Sequence, residues 1–276
     1  MQLDFQILTD IAIRAALEAG KIIQQSINKE VIVEKKEGGN TYASQIITTV
    51  DKACEKVILS HLLPTCKTFD IALLSEETED DKSRFEKDFF WCIDPMDGTL
   101  AFINKHAGFS ISIALVAKDG TPQIGVVYDP SRKNLYYAIK DKGAFKNRKP
   151  WKLKTPNQHL TYITDKKLSN TLNKSKIKEI LNDKTIALGV SEYKEISGAG
   201  AVLNAIFVAE NTPAMLLKLP KKEKGGGSIW DFAATACIFK ELGLQADDFS
   251  GNPLELNRKE STFMNHQGVF YLSFLI

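Results

Sequence analysis

The segment from Trp91 to Thr99 reads Trp-Cys-Ile-Asp-Pro-Met-Asp-Gly-Thr, an apolar run that ends abruptly in two carboxylates, Asp94 and Asp97. An apolar run of this kind is a buried strand, so its end delivers two acids to the edge of a sheet. Pro95 fixes φ and lacks an N–H, while Gly98 permits a tight turn and a close approach of backbone to ligand. A helix starting near Thr99 turns its N-terminal N–H groups toward the same place, which suits an anion bridged between metal ions and backbone donors. Asp-Pro-x-Asp-Gly is equally the composition of a surface turn. By itself the segment leaves these two readings level.

Two other segments carry acids in comparable settings. Leu74-Ser75-Glu76-Glu77-Thr78 places two at the end of a second apolar run, where an exposed loop or a helix start is the plainer explanation. Trp230-Asp231 opens a helical run through Ala236, so Asp231 is either an N-cap or a ligand. Hard oxygen donors without clustered histidines or thiolates favour Mg²⁺ or Mn²⁺ over zinc. Packed together, such charges repel unless cations join them, and paired divalent ions are a known device for phosphoryl transfer.

Length and composition narrow the alternatives. The chain has 276 residues, enough to bury a sizeable core as one domain or two closely packed halves. Its texture divides at Pro150: residues 1–150 read as an N-terminal α+β half carrying the acidic motifs. Residues 151–276 read as a C-terminal α/β half supplying Asp231 and substrate contacts, the two forming one compact unit. With 36 basic and 34 acidic residues the net charge is +2, so no global field attracts a nucleic-acid polymer. The four cysteines are scattered without C-x-x-C spacing and read as reduced residues of a cytoplasmic protein. Asp4, Asp10, Arg14, Glu18 and Lys21 interrupt any signal-peptide core. No apolar run approaches the roughly 20 residues of a membrane span.

Periodicity predicts helices over Phe5 to Ser26, Thr49 to Leu62, Ala199 to Ala209 and Ile229 to Leu242, with weak helical character from Asn173 to Leu181. Strands are expected over 70–74, 89–93, 109–117, 123–128, 135–140 and 144–147, most of them forming an antiparallel meander. Helices covering sheets in this alternation make a layered α/β (α+β) architecture.

In this order the segments resemble the inositol monophosphatase superfamily of lithium-sensitive phosphatases. The resemblance rests on Thr48 to Asp51, Ser75-Glu76-Glu77, Asp94 to Thr99, Gly125 to Tyr128 with Gly143-Ala144-Phe145, and Trp230-Asp231 with its alanine-rich helix. It implies a layered αβαβα sandwich and a Mg²⁺-dependent phosphomonoesterase holding two to three ions, Mn²⁺ being an alternative. Glu76 and Asp94, with the Met96 carbonyl, would hold the first metal; Asp94, Asp97 and Asp231 would hold the second. Asp51 and Thr99 would orient and deprotonate the attacking water, with Glu76 facing a third, weaker ion. Gly98 and Thr99 N–H groups would bind phosphate, with Asp97 and Asp231 bordering the substrate, and attack would be in line without a phosphoenzyme. The substrate would be a small phosphorylated metabolite, and a homodimer is compatible with the resemblance.

Within the superfamily, Leu74 to Glu77, Phe109 to Leu115, and Asn257 to Ser261 with Asn265 look closer to the 3'(2'),5'-bisphosphate nucleotidases. That resemblance points to adenosine 3',5'-bisphosphate, with inositol monophosphatase or another sugar or polyol phosphatase as the alternative. A catalytically silent metal-dependent binding protein is the remote one, disfavoured because Asp51 and Thr99 are both present. The chain departs from the family pattern at Gly198 to Ala201, where relatives place serine or threonine after glycine. Lys221 to Ser228 is a basic, glycine-rich loop: either a solvated turn or a contact for a second phosphate or nucleotide. His106 reads as structural or merely exposed rather than as a substrate contact, and Trp91 and Phe102 as core residues rather than a base-stacking platform.

Overall fold

The computed structural model describes residues 3–30, 32–35, 46–171 and 173–274. Helix α1 (Phe5–Ser26) begins at Asp4, whose carboxylate accepts from the Gln6 N–H at 2.8 Å. Leu8, Ala12, Ala15, Ala19 and Ile23 recur at three- and four-residue steps along its buried face. After a short hairpin of β1 (Val33–Lys35) and β2 (Ile46–Thr48) comes α2 (Thr49–Phe69). It buries Val50, Cys54, Ile58 and Leu62. Helix α2 passes through Pro64 and ends at Phe69, about two turns beyond the expected stop at Leu62. Tertiary packing extends it: Thr65 is buried, and its hydroxyl accepts from the Trp91 indole N–H at 2.9 Å, which outweighs the missing proline N–H.

The first sheet runs in the order β3 (Ala72–Ser75), β4 (Phe89–Asp97), β5 (Ser110–Ala117), β6 (Pro122–Asp129), β7 (Asn134–Ile139), β8 (Gly143–Lys146) and β9 (Lys149–Pro150). Helix α3 (Thr99–Ile103) interrupts the chain between β4 and β5. The β3–β4 pair is parallel and the other pairs are antiparallel. Along β4 the side chains alternate: Trp91 and Ile93 pack toward α1 and α2, Phe90 and Cys92 toward the opposite face.

The second half of the chain supplies β10 (Leu160–Thr164), α4 (Lys174–Leu188), β11 (Tyr193–Ser197), α5 (Ala201–Glu210), β12 (Ala214–Lys218), α6 (Ile229–Glu241), β13 (Gln245–Asp247) and β14 (Val269–Leu272). Its sheet has the order β11-β10-β12-β14-β13, with β10 parallel to both neighbours. Helices α5 and α6 lie between the two sheets. Their apolar residues form one core with Phe90 and Val116 on one side and Ile163, Leu216 and Tyr271 on the other. Each large side chain fully buried there contributes about 1.5–3 kcal/mol. Tyr162, Met215 and Leu217 point away from that layer and pack with Ile177 and Leu181 of α4. The result is the αβαβα sandwich that the resemblance implies, and it brings the C-terminal ends of β3 and β4 against the starts of α5 and α6.

Candidate active site

The parallel pairing of β3 with β4 sets two acids side by side. Ser75 pairs with Ile93, and the Glu76 N–H donates to the Ile93 carbonyl at 3.1 Å, so Glu76 and Asp94 leave the sheet at the same edge. Beyond Ile93 the strand does not stop, as its composition suggests; it continues to Asp97 through a bulge. Asp94 faces Ser112 and Asp97 faces Ser110, one residue more on β4 than on β5. The Asp94 carboxylate accepts from the Met96 N–H at 3.0 Å across Pro95. Gly98 follows at φ 84°, where a Cβ would lie 2.4 Å from the Gly108 carbonyl oxygen, and α3 starts at Thr99 as expected.

Asp51 and Thr99 meet here. The Thr99 hydroxyl lies 3.0 Å from Asp51 Oδ1 and 3.1 Å from the Met96 carbonyl oxygen. The other Asp51 oxygen accepts from the Thr48 N–H at 2.8 Å and the Thr48 hydroxyl at 2.5 Å, closing the capping box of α2. Burial raises the Asp51 pKa, the hydrogen bonds from Thr48 and Thr99 oppose the rise, and the Glu76 charge adds to it.

Asp97 is clasped by the start of α5: Oδ1 accepts from the Ala201 N–H and Oδ2 from the Val202 N–H, both at 3.0 Å. Burial pushes its pKa well above the ordinary value, and the neighbouring Asp231 pushes further. Asp231 resolves its two sequence readings by satisfying both. Ser228 is the N-cap of α6, and Asp231, in the first turn, accepts from the Ser228 N–H. The same side chain faces the acids of β4: ligand oxygens of Asp94, Asp97 and Asp231 all lie within 4.8 Å of one another. Burial, followed by the charge of Glu76, pushes the Asp231 pKa up to about 6.

Lys218, at the end of β12, is a participant that sequence reasoning misses. Its Nζ lies 2.6 Å from Asp165 Oδ2, and Asn204 donates to the other Asp165 oxygen at 2.9 Å. Burial works to lower the Lys218 pKa; Asp165, then Asp231 and Asp97, outweigh it and raise the pKa. After four apolar strand residues nothing in the local pattern marks this cation as part of a site. Gly200 is visible in the sequence only as a departure from the family, although it is what admits the Asp97 carboxylate to α5. Among the other residues singled out, His106 is exposed after α3, while Trp91 and Phe102 are buried in the core. All four cysteines are free thiols.

Three carboxylates this close, two of them buried, repel one another unless protonated or joined by a cation. An all-oxygen donor set of this kind fits a hard divalent ion.

Fold and carboxylate centre together define a five-layered α/β protein of the metal-dependent phosphatase class. The model of the Inositol monophosphatase family matches residues 4–271. Inositol monophosphatase 3 of Solanum lycopersicum is 30% identical over 264 residues, spanning 93% of this chain and 91% of that protein. Nus factor SuhB of Escherichia coli is 29% identical over 251 residues, 88% and 86% of the two chains. Among solved structures, staphylococcal IMPase-II with bound 2'AMP matches with a TM-score of 0.71 at 25% identity, covering 97% of this chain and 89% of that one. The inositol monophosphatase from Anabaena (Nostoc), at 24% identity with a TM-score of 0.67 over 98% and 92% of the chains, shares the fold. The chain belongs to the inositol monophosphatase family and is a phosphomonoester hydrolase. Among the described residues no helix is long and apolar enough to cross a membrane.

Proposed function

We propose that the chain is a cytoplasmic, Mg²⁺-dependent 3'(2'),5'-bisphosphate nucleotidase that releases the 3'-phosphate of adenosine 3',5'-bisphosphate. The carrying observation is Lys218, a cation held by Asp165 beside the carboxylates of Asp97 and Asp231. A cation kept at the rim of an acidic centre suits a substrate with negative charge to spare, whereas a neutral polyol ring has no use for it. The 2'AMP bound to staphylococcal IMPase-II supports a nucleotide in such a pocket.

Glu76, Asp94, Asp97, Asp231 and the Met96 carbonyl would hold the ions. Bound there, divalent cations supply Lewis-acid stabilisation of phosphoryl charge and favour ionisation of water. Asp51, buried and with its pKa raised, accepts through Thr99 the proton that the attacking water gives up. Gly98 and Thr99 present N–H groups at the start of α3 to the phosphate oxygens. Asp97, fixed by two backbone donors of α5, keeps its place while the substrate enters.

Inositol phosphate is the second reading, favoured by inositol monophosphate bound to SaIMPase-II. Phosphate release measured with adenosine 3',5'-bisphosphate, inositol 1-phosphate and fructose 1,6-bisphosphate, with and without Li⁺, decides between them. The nucleotidase reading expects the highest kcat/KM on adenosine 3',5'-bisphosphate and inhibition by Li⁺; preferred turnover of inositol 1-phosphate would overturn it.

A further inference from the structure

Asp51 lies in α2, Asp94 and Asp97 in β4 and Asp231 in α6, whereas Glu76 stands one residue past the end of β3, outside any helix or strand. Thr48 holds Asp51, the start of α5 holds Asp97, and the Ser228 N–H holds Asp231. After burial, the Glu76 charge is among the causes that raise the pKa of Asp51, Asp97 and Asp231, so Glu76 faces the same centre as they do. A carboxylate carried on a bend is placed only as well as the residues around it are held.

Glu55 holds them. One of its carboxylate oxygens, Oε1, accepts from the Ser75 hydroxyl at 2.5 Å and from the Thr78 hydroxyl at 2.9 Å. Ser75 precedes Glu76 and Thr78 follows it by two residues, so a single oxygen pins the chain on both sides of the acid. The Glu76 N–H, bonded to the Ile93 carbonyl of β4, gives a third point of attachment. Ser75 is buried and Glu55 half-buried, which shields the inner of the two hydroxyl bonds from water, while Thr78 is exposed. Glu55 also stands four residues, about one turn, beyond Asp51 on the same face of α2. The first two turns of this helix thus bond the Thr99 hydroxyl through Asp51 and the Glu76 bend through Glu55.

We infer that Glu55 is a positioning residue of the metal centre, fixing the bend that carries Glu76 and setting that acid against Asp51 across one rigid helix. It acts through Ser75 and Thr78, so what the site needs at this point is an acceptor oxygen rather than a negative charge. The role rests on the reading that Glu76 holds a divalent cation and adds the group that keeps Glu76 in place.

The test is Mg²⁺ binding by the full chain at pH 7.5 without substrate, read from the rise in Tm across a Mg²⁺ titration. The metal-free melts of the same samples show whether each variant folds. Glu55→Ala is expected to weaken Mg²⁺ binding roughly 10–100-fold, the usual scale for losing a partner that orients a metal ligand. Glu55→Gln keeps the acceptor and should stay within about threefold of the wild type. The double variant E55A/S75A should bind no more weakly than E55A, because both changes cut the same bond. Unchanged binding in E55A overturns the inference, and so does E55Q binding as weakly as E55A, which would make the charge the active feature. Should E55A not fold, Ser75→Ala alone decides: binding weakened roughly tenfold supports the role and wild-type binding refutes it. A wild-type chain whose Tm does not respond to Mg²⁺ instead removes the metal reading itself, and this role with it.

Discussion

Gly200 leaves open the space that the Asp97 carboxylate occupies: a Cβ at position 200 would stand 2.2 Å from Asp97 Oδ2 and 2.5 Å from Oδ1. The N–H groups of the next two residues hold that carboxylate from the same side. A side chain here therefore displaces an acid of the centre rather than merely crowding a helix. Gly200→Ala is expected to lower kcat roughly 10–100-fold while the protein still folds, because a shift near 1 Å in a positioned group has that scale of effect. Steady-state kinetics beside a circular dichroism melt checks it; wild-type kcat in the variant would show that Asp97 does not need its place.

Asp51 bridges the cap of α2 and the hydroxyl of Thr99. If its ionisable oxygen is the proton acceptor, Asp51→Asn keeps the hydrogen-bond frame and removes the base. The expected fall in kcat is about 10²–10⁴-fold with substrate KM little altered. A variant slowed less than about twofold assigns Asp51 to the capping box alone.

The pH dependence of the metal-free protein follows from the raised carboxylates. Asp231 titrates at about 6 in the fold against an ordinary 3.8, and Asp97 and Asp51 shift the same way. A carboxylate with a raised folded pKa contributes stability that is fully present below its unfolded pKa and lost as pH rises through the folded one. The carboxylates with lowered pKa, such as Asp80 and Asp248, act in the opposite sense and only near and below the ordinary value. In EDTA the Tm is therefore expected to fall from about pH 5 to about pH 7.5, and added Mg²⁺ to raise it more at the higher pH. A metal-free Tm that climbs across this interval contradicts the picture.

Lys218 opposes metal and favours phosphate, so its removal separates the two. Lys218→Met is expected to raise the KM for a phosphorylated nucleotide roughly tenfold while leaving the Mg²⁺ requirement no higher than in the wild type. Initial rates across a Mg²⁺ titration measure both, and an unchanged KM would reduce Lys218 to a structural partner of Asp165.

The part of the fold legible in the sequence is the part whose strands are bounded by chemistry. Phe89 to Ile93 is apolar and stops at acids; Phe109 to Ala117 is apolar and stops at Lys118-Asp119-Gly120. Both lie in the first sheet, the second within a residue of expectation, while the first starts where expected and runs four residues further, through its bulge to Asp97. In the second sheet β10 follows a lysine-rich polar stretch, and β11 is an edge strand with exposed Lys194, Glu195 and Ser197, so neither stands out from its surroundings. Their existence depends on the pairing of β10 with β12 and of β11 with β10, long-range contacts that no local pattern encodes. In the site, each acid was visible at the end of a run or the start of a helix, but convergence of Asp231 on Asp94 and Asp97 is a property of α6 lying between the sheets. For the same reason Gly200 and Lys218 acquire meaning only from what stands opposite them.

Whether the carboxylates brought together from β4 and α6 hold divalent cations for phosphate release is decided by Asp94→Asn. Phosphate release from adenosine 3',5'-bisphosphate is measured over a Mg²⁺ titration in the wild type and the variant, with melts of both in EDTA. The expected result is Mg²⁺-dependent turnover in the wild type and none in the variant at any Mg²⁺ concentration. The metal-free variant should melt no lower than the wild type, because a repelling charge has been removed. Wild-type turnover by Asp94→Asn, or wild-type activity undiminished in EDTA, would contradict metal holding by these carboxylates.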